Sequence, residues 1–514
     1  MLRFRATGID PLHEKLRLEQ VYSRVAEFRF LKKEDAMAET LKDKTAKNLF
    51  WSAMNNGTMQ VLNLLIGIFL GRLLSPGEYG LVGVLTIFTL IAGNLQSSGF
   101  TQGLINLKQP TARDYNSVFW FNILASFFIY AVLFCCAPLI AAFFHQPALV
   151  KLSRVVFLSF VISSFGIAHA AYMNKNLMNK EQAFINCLAL AVSGGASITL
   201  AFNGYSYWSL AWQQIIYISV LNVGRYYVVP WRPSFAIDFG PVKGMFRFSV
   251  KILFTNIINT LSSNILTFIF GRYFAIKQVG NYTQAAKWNT MANSFVANTL
   301  WQVVQTVLVA AGDERERRCR VYRKMMRFTA FMSFPLMFGL ALVAEELIFC
   351  TIGEQWADSV ALLRILCLSG AFVPFYTMYQ NLAISSGRSD LYLWCNVAQI
   401  VLQVVVILLF KPLGLTVMVV AYSVFLILWL LAWHIVAKRL IGLSLRHTFA
   451  DIVPFMLIAA AVMVATHYLT LWLSGYVVVL IARVVIAALL YVGAMRLFHA
   501  EIMSECIAYF KKKR

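Results

Sequence analysis

The chain has 514 residues, 59% hydrophobic and only 13% charged, with 45 Lys and Arg against 23 Asp and Glu for a net charge of +22. A soluble domain carries about one quarter charged residues, so this composition excludes a soluble globular protein and predicts an all-α polytopic membrane protein. The positive excess would suggest nucleic acid in a soluble chain; here it reads as the cationic bias of cytoplasmic loops, with no nucleic-acid partner.

Residues 1–36 are charged and poorly apolar, without the apolar core of a signal peptide. Met37 opens "MAETLKDKTAKNLFW", a short basic lead, and is the expected natural start, with the preceding residues an upstream extension. A membrane span needs about 20 mainly apolar residues. By that rule fourteen follow, near 48–70, 80–104, 117–143, 153–172, 182–202 and 207–229, then 248–270, 280–310, 328–351, 360–386, 391–410 and 415–437, and last 452–470 and 475–498. The expected organisation is a cytoplasmic segment over 1–47, a six-helix bundle over 48–229 and a cytoplasmic linker over 230–247. A second six-helix bundle over 248–437, two additional helices within 438–498 and a basic tail over 499–514 complete it.

With the N-terminus cytoplasmic, 33 of the 45 Lys and Arg fall in the terminal segments and the cytoplasmic loops. The densest stretch is "DERERRCRVYRKMMR", Asp313 to Arg327. This asymmetry supports the span count and predicts that both termini are cytoplasmic.

"GRLLSPGEYG" at 71–80 is matched by "GRYFAIKQVG" at 271–280. The same offset of 200 pairs Asn56 with Asn256, Gln102 with Gln302 and Lys47 with Arg247. Six helices separate the copies, so both enter from the same side and form parallel repeats about an axis along the membrane normal. Each motif reads as the outer turn of a hairpin, its glycines permitting the bend and Arg72 and Arg272 standing at the outer mouth.

Polar side chains gather on particular spans. Ser52, Asn55, Asn56 and Asn63 share one face of the first; Gln284, Lys287, Ser294, Asn298, Gln302 and Gln305 share a sector of the eighth. The seventh carries Lys251, Thr255, Asn256 and Asn259, the second Thr86, Thr89 and Asn94. Amides serve membrane helices as interhelical glue, but four stripes on two equivalent hairpins predict a water-filled cavity lined by spans 1, 2, 7 and 8. Lys287 lies about 10 Å into its helix on the polar stripe, and an intramembrane lysine without an acid faces a cavity or an anion. Such a cavity suits a large anionic substrate. Arg225, Lys251, Arg364 and Arg496 lie near span ends, where snorkelling accounts for them. The eight cysteines lack metal-ligand spacing, and no catalytic group, metal or cofactor is expected.

The stretch "KNLFWSAMNNGTMQVLNLLIGIFLGRLLSPGEYGLV" and the following "SSGFTQGLI" resemble the polysaccharide-biosynthesis (Wzx-type) flippases of the multidrug/oligosaccharidyl-lipid/polysaccharide exporter superfamily. The turn Gly71, Arg72, Leu74, Pro76, Tyr79 and Gly80 is the most specific part of a resemblance that covers nearly all of 40–500. It implies a transporter, not an enzyme, in the inner (cytoplasmic) membrane of a bacterium. Its substrate would be an undecaprenyl-diphosphate-linked oligosaccharide, moved to the outer leaflet for O-antigen, capsule or exopolysaccharide synthesis. Alternating access between the bundles, and a polysaccharide polymerase and assembly proteins as partners, are implied with it. The cationic-cavity role carries over to Lys287 and, more weakly, Lys251, with Asn55, Asn56, Asn256, Asn259, Gln284, Asn298 and Gln302 as further lining.

Three alternatives stand beside this. A drug/cation antiporter of the same superfamily needs buried carboxylates, which the span centres lack. A lipid II flippase also has fourteen spans. A membrane-embedded glycosyltransferase, polymerase or ligase needs an acid, base or metal site on a large outer loop, for which the loops are too short.

Overall fold

The computed structural model describes residues 51–52, 54–310 and 314–497, except for the side chains of 95–100, 102, 106, 245, 247–248, 251–252, 254–255, 263, 295, 297–310 and 389. The terminal segments expected over 1–47 and 499–514, Met37 included, lie outside the described residues. Every element is helical: α1 over 54–73, α2 Pro76–Asn106, α3 Ala112–Phe144, α4 Ala148–Lys175, α5 Asn179–Phe202 and α6 Trp208–Val228. Then come α7 Gly240–Tyr273, α8 Ile276–Ala310, α9 Arg315–Leu342, the short α10 Ala344–Thr351, α11 Ala357–Gly370 and α12 Val373–Ser385. The last four are α13 Ser389–Phe410, α14 Leu415–Ile441, α15 Leu445–Leu469 and α16 Tyr476–Leu497.

Among the described residues, ten helical stretches are long and apolar enough to cross a membrane, α11 and α12 together counting as one. Helices α1, α6, α7 and α8 are not among the ten, and three of these four carry the polar stripes.

Several boundaries differ from the sequence expectation. The linker expected over 230–247 is helical from Gly240, because Pro241 occupies the first turn, where its missing N–H costs nothing. The stretch at 328–351 divides after Leu342 into α9 and α10. That at 360–386 divides at Ala371–Phe372, where α12 restarts with Pro374 in its first turn.

The hairpin α1–α2 turns at Leu74–Ser75. Ser75 takes an extended backbone (φ −76°, ψ 159°), Pro76 opens α2, and the Glu78 carboxylate accepts from the Ser75 amide at 2.5 Å. Helix α8 begins at Ile276, 200 residues after Pro76, and its Gln278 side-chain Oε1 accepts from the Ala275 amide at 3.3 Å. Both motifs therefore fold as equivalent turns.

Their glycines do something other than bend the chain. Gly71, Gly80, Gly271 and Gly280 are all helical, and none has a positive φ. A Cβ on Gly80 would lie 2.1 Å from the carbonyl oxygen of Ile276, and one on Gly280 1.7 Å from that of Pro76. The two contacts exchange into one another under the offset of 200, as a two-fold relation between the repeats requires. The missing Cβ lets α2 and α8 cross backbone against backbone. Around this crossing α2 packs on α7, while one buried core joins Leu70, Val84, Phe270, Ala285 and Trp356 from both repeats. Helices α15 and α16 pack against α9, and the Tyr491 hydroxyl donates to the Phe331 carbonyl at 3.0 Å.

Candidate functional site

The four helices of the two hairpins meet where α2 packs on α7 and on α8 and where α8 lies against α1. On α1, Gly67 and Gly71 are one turn apart and leave a shallow groove. Into it α8 sets Lys287 and Gln284: a Cβ on Gly67 would lie 2.7 Å from Lys287 Nζ, and one on Gly71 3.8 Å from Gln284 Nε2. Lys287 is half-buried and has neither a hydrogen-bond nor an ion-pair partner among the described residues. Gln284 is buried, and its Oε1 accepts nothing. Among the described residues no carboxylate pairs with this ammonium, which lies well inside α8.

The other stripe residues divide. Asn55 pairs with Asn186 of α5 at 3.4 Å, and Asn259 accepts from the Tyr392 hydroxyl of α13 at 3.3 Å. Asn94 of α2 donates to Thr260 of α7 at 2.6 Å, and at 3.4 Å to the carbonyl of Asn256, whose side chain is half-buried. These amides hold helices together. Asn56 and Asn63 are exposed. Lys251, Asn298 and Gln302 lie on α7 and α8, their side chains outside the described residues.

Arg72 and Arg272 make reciprocal clamps. Arg72 donates from Nε to the Thr351 carbonyl at 2.6 Å and from an Nη to that of Cys350 at 2.5 Å. It thereby closes the C-terminal end of α10, a helix of the second repeat, where unpaired carbonyls attract a cation. Arg272 donates to the Phe143 carbonyl at 2.7 Å, lies against the His145 ring and covers the Phe143 ring at 5.1 Å. That is the C-terminal end of α3, in the first repeat. Each arginine thus ties the turn of its own repeat to the other repeat.

Sequence reasoning missed two partners of this clamp. Gln355 donates to the Gly71 carbonyl at 2.9 Å, and the fully buried Trp356 does so through its indole N–H at 2.7 Å. Trp356 also stacks edge-on to Tyr79 with ring centroids 5.3 Å apart. They lie 284 and 285 residues from Gly71, and no periodicity reports a contact at that separation.

Carboxylates enter the protein elsewhere. Glu346 of α10 is buried and accepts from Arg483 of α16 at 2.6 Å, beside a cavity of about 820 Å³ that also receives Arg364 and Glu345, paired at 3.0 Å. Arg483, a cation inside the apolar helix α16, therefore has its acid in Glu346. Among the described residues no cluster of His, Cys, Asp or Glu could hold a metal ion.

The sequence model of the family described as "Polysaccharide biosynthesis protein" matches residues 69–361. The chain belongs to that family. It is 25% identical over 433 residues to the teichuronic acid biosynthesis protein TuaB of Bacillus subtilis, covering 81% of this chain and 87% of that one. It is 22% identical over 364 residues to the lipopolysaccharide biosynthesis protein WzxC of Escherichia coli, covering 70% and 73%. Among solved structures it is similar to the lipid II flippase MurJ in an inward closed conformation. The TM-score is 0.71 at 13% identity, covering 88% of this chain and 99% of that one. The resemblance read from the turn motif thus holds: this is a multi-pass membrane transporter of polysaccharide biosynthesis with a flippase-like fold.

Proposed function

We propose that the protein flips an undecaprenyl-diphosphate-linked oligosaccharide from the cytoplasmic to the outer leaflet of the bacterial inner membrane. The product would feed O-antigen, capsule or exopolysaccharide assembly, with a polymerase as downstream partner. Fourteen spans form two six-helix bundles, with α15 and α16 outside them, and both termini are cytoplasmic. The Gly-Arg turns then lie at the outer end.

The observation that carries the reading is the partnerless ammonium of Lys287 at the α1–α8 seam. A diphosphate crossing a low-dielectric region needs a fixed cation to offset its desolvation, and a cationic drug would be repelled there. In the mechanism, the polyprenyl tail stays in lipid while the head group meets Lys287. The bundles rock about the Gly80–Gly280 crossing, with the clamps of Arg72 and Arg272 holding the outer end shut until they release.

The test is surface polymer in the native host. Lys287→Ala and Lys287→Glu, at membrane abundance matched to the parent, are expected to reduce polymer and to leave lipid-linked oligosaccharide on the inner leaflet. Normal polymer in both variants overturns the role of the lysine.

A further inference from the structure

A pocket of about 350 Å³ opens between α1, α5 and α6, lined by Asn63, Ser193, Gln213, Gln214 and Tyr217 over an apolar floor that includes Met59 and Leu190. Its construction begins with small residues. Gly194 of α5 receives Ile66 of α1, whose Cδ1 would stand 2.2 Å from a Cβ placed there. That close approach seats α1 on α5 and leaves Ser193 and Asn63 facing a common space beside it.

The pocket lies on the face of α1 away from its exposed apolar residues. On α1, Val61, Leu65 and Phe69 are 57%, 47% and 49% exposed and form one apolar face. Asn63 is two residues from Val61 and from Leu65, hence about 200° around the helix from either, and it too is exposed. A helix accessible on opposite faces, one apolar and one amide-bearing, separates lipid from an aqueous interior. Asn63 is also one turn before Gly67, over which Lys287 Nζ lies. The pocket and the ammonium therefore adjoin along α1.

The lining chemistry selects a class of ligand. Among the described residues no charged side chain lines the pocket, which disfavours an ion of either sign. Gln213 and the Tyr217 hydroxyl make no hydrogen bond among the described residues. Gln214 uses only its amide N–H, towards Ser159 at 3.3 Å, and Asn63 only its own, towards the Met59 carbonyl at 2.9 Å. Free donors and acceptors over an apolar floor suit a polyol with hydroxyls at its rim and C–H groups on its face, and the volume, at the low end for small-molecule sites, suits one or two sugar rings.

We propose that this pocket is a glycosyl subsite, which takes the sugar next to the diphosphate while Lys287 meets the diphosphate. The assignment rests on the transport reading above and adds to it where specificity for the glycan is read.

The experiment uses the full chain in lipid nanodiscs and two kinds of short-chain probe. One is farnesyl diphosphate; the other is farnesyl diphosphate carrying glucose, galactose or N-acetylglucosamine. The parent is expected to bind at least one glycosylated probe about tenfold more tightly than the bare one, the gain of one or two satisfied hydrogen bonds. Gln213→Leu with Tyr217→Phe is expected to abolish that preference and keep affinity for the bare probe, which also reports folding. Tyr217→Phe alone, which removes a single oxygen, is expected to lower the preference. Equal binding of bare and glycosylated probes by the parent, or an undiminished preference in either variant, overturns the subsite and leaves the transport reading standing. Binding of no probe by the parent overturns both.

Discussion

Gly80 of α2 and Gly280 of α8 meet backbone to backbone: a Cβ on Gly280 would lie 3.1 Å from the Gly80 amide nitrogen and 1.7 Å from the Pro76 carbonyl oxygen. No rotamer can relieve a clash with main-chain atoms, so α2 and α8 must separate to admit even a methyl group. Gly280→Ala and Gly80→Ala are each expected to destabilise the protein by about 1–3 kcal/mol or more. The measurement is the thermal midpoint in detergent, with Gly195→Ala as control. A Cβ there meets nothing within 4 Å, and that variant is expected to be neutral or slightly stabilising.

The clamps of Arg72 and Arg272 join opposite repeats through main-chain carbonyls, and Arg272 also engages the rings of His145 and Phe143. Removing both, Arg72→Ala with Arg272→Ala, is expected to shift the population towards structures open at that end. Spin labels at Gly77 and Lys277, equivalent positions on the two turns, should report a longer mean distance than in the parent. Arg72→Lys is expected to behave like Arg72→Ala, because one ammonium cannot span two carbonyls as the guanidinium fork does. An unchanged distance distribution would refute the clamp.

Lys287 lies over Gly67 because that position has no side chain. Gly67→Val places carbon where the ammonium stands, and is expected to reduce polymer export as Lys287→Ala does. Combining the two should cost no more than either alone, the non-additivity of residues in contact. Additive losses in the double variant would show that the glycine acts independently of the lysine.

The Glu346–Arg483 pair is buried on both sides, with side-chain exposures of 9% and 10%. Truncating one partner leaves an uncompensated charge and is expected to cost about 3–5 kcal/mol. Arg483→Met should thus lower membrane abundance sharply, and adding Glu346→Leu should recover much of it, since a packed apolar pair avoids the desolvation of both ions. Failure of the double variant to recover would indicate that the pair does more than join α10 to α16.

The sequence alone determined the environment, the helical class and the duplication. Apolar content and span length depend only on local composition, and the repeat is visible because its two copies keep the same spacing from Gly71 to Gly80 and from Gly271 to Gly280. It also marked Lys287, since a cation in an apolar run stands out without a neighbour to explain it. What it could not determine was the use of each polar group. Asn55 and Asn63 share a stripe, yet one bonds Asn186 while the other faces an open pocket. Helical periodicity gives a residue's direction from its own axis and nothing about what stands there. For the same reason the motif's glycines suggested a bend, and only the crossing of α2 with α8 revealed that they allow contact. Arg72 on Thr351 and Arg483 on Glu346 join residues 279 and 137 apart in sequence. Those pairings were decided by the packing of one repeat on the other and of α16 on α10, which brings a charge to its partner across the fold.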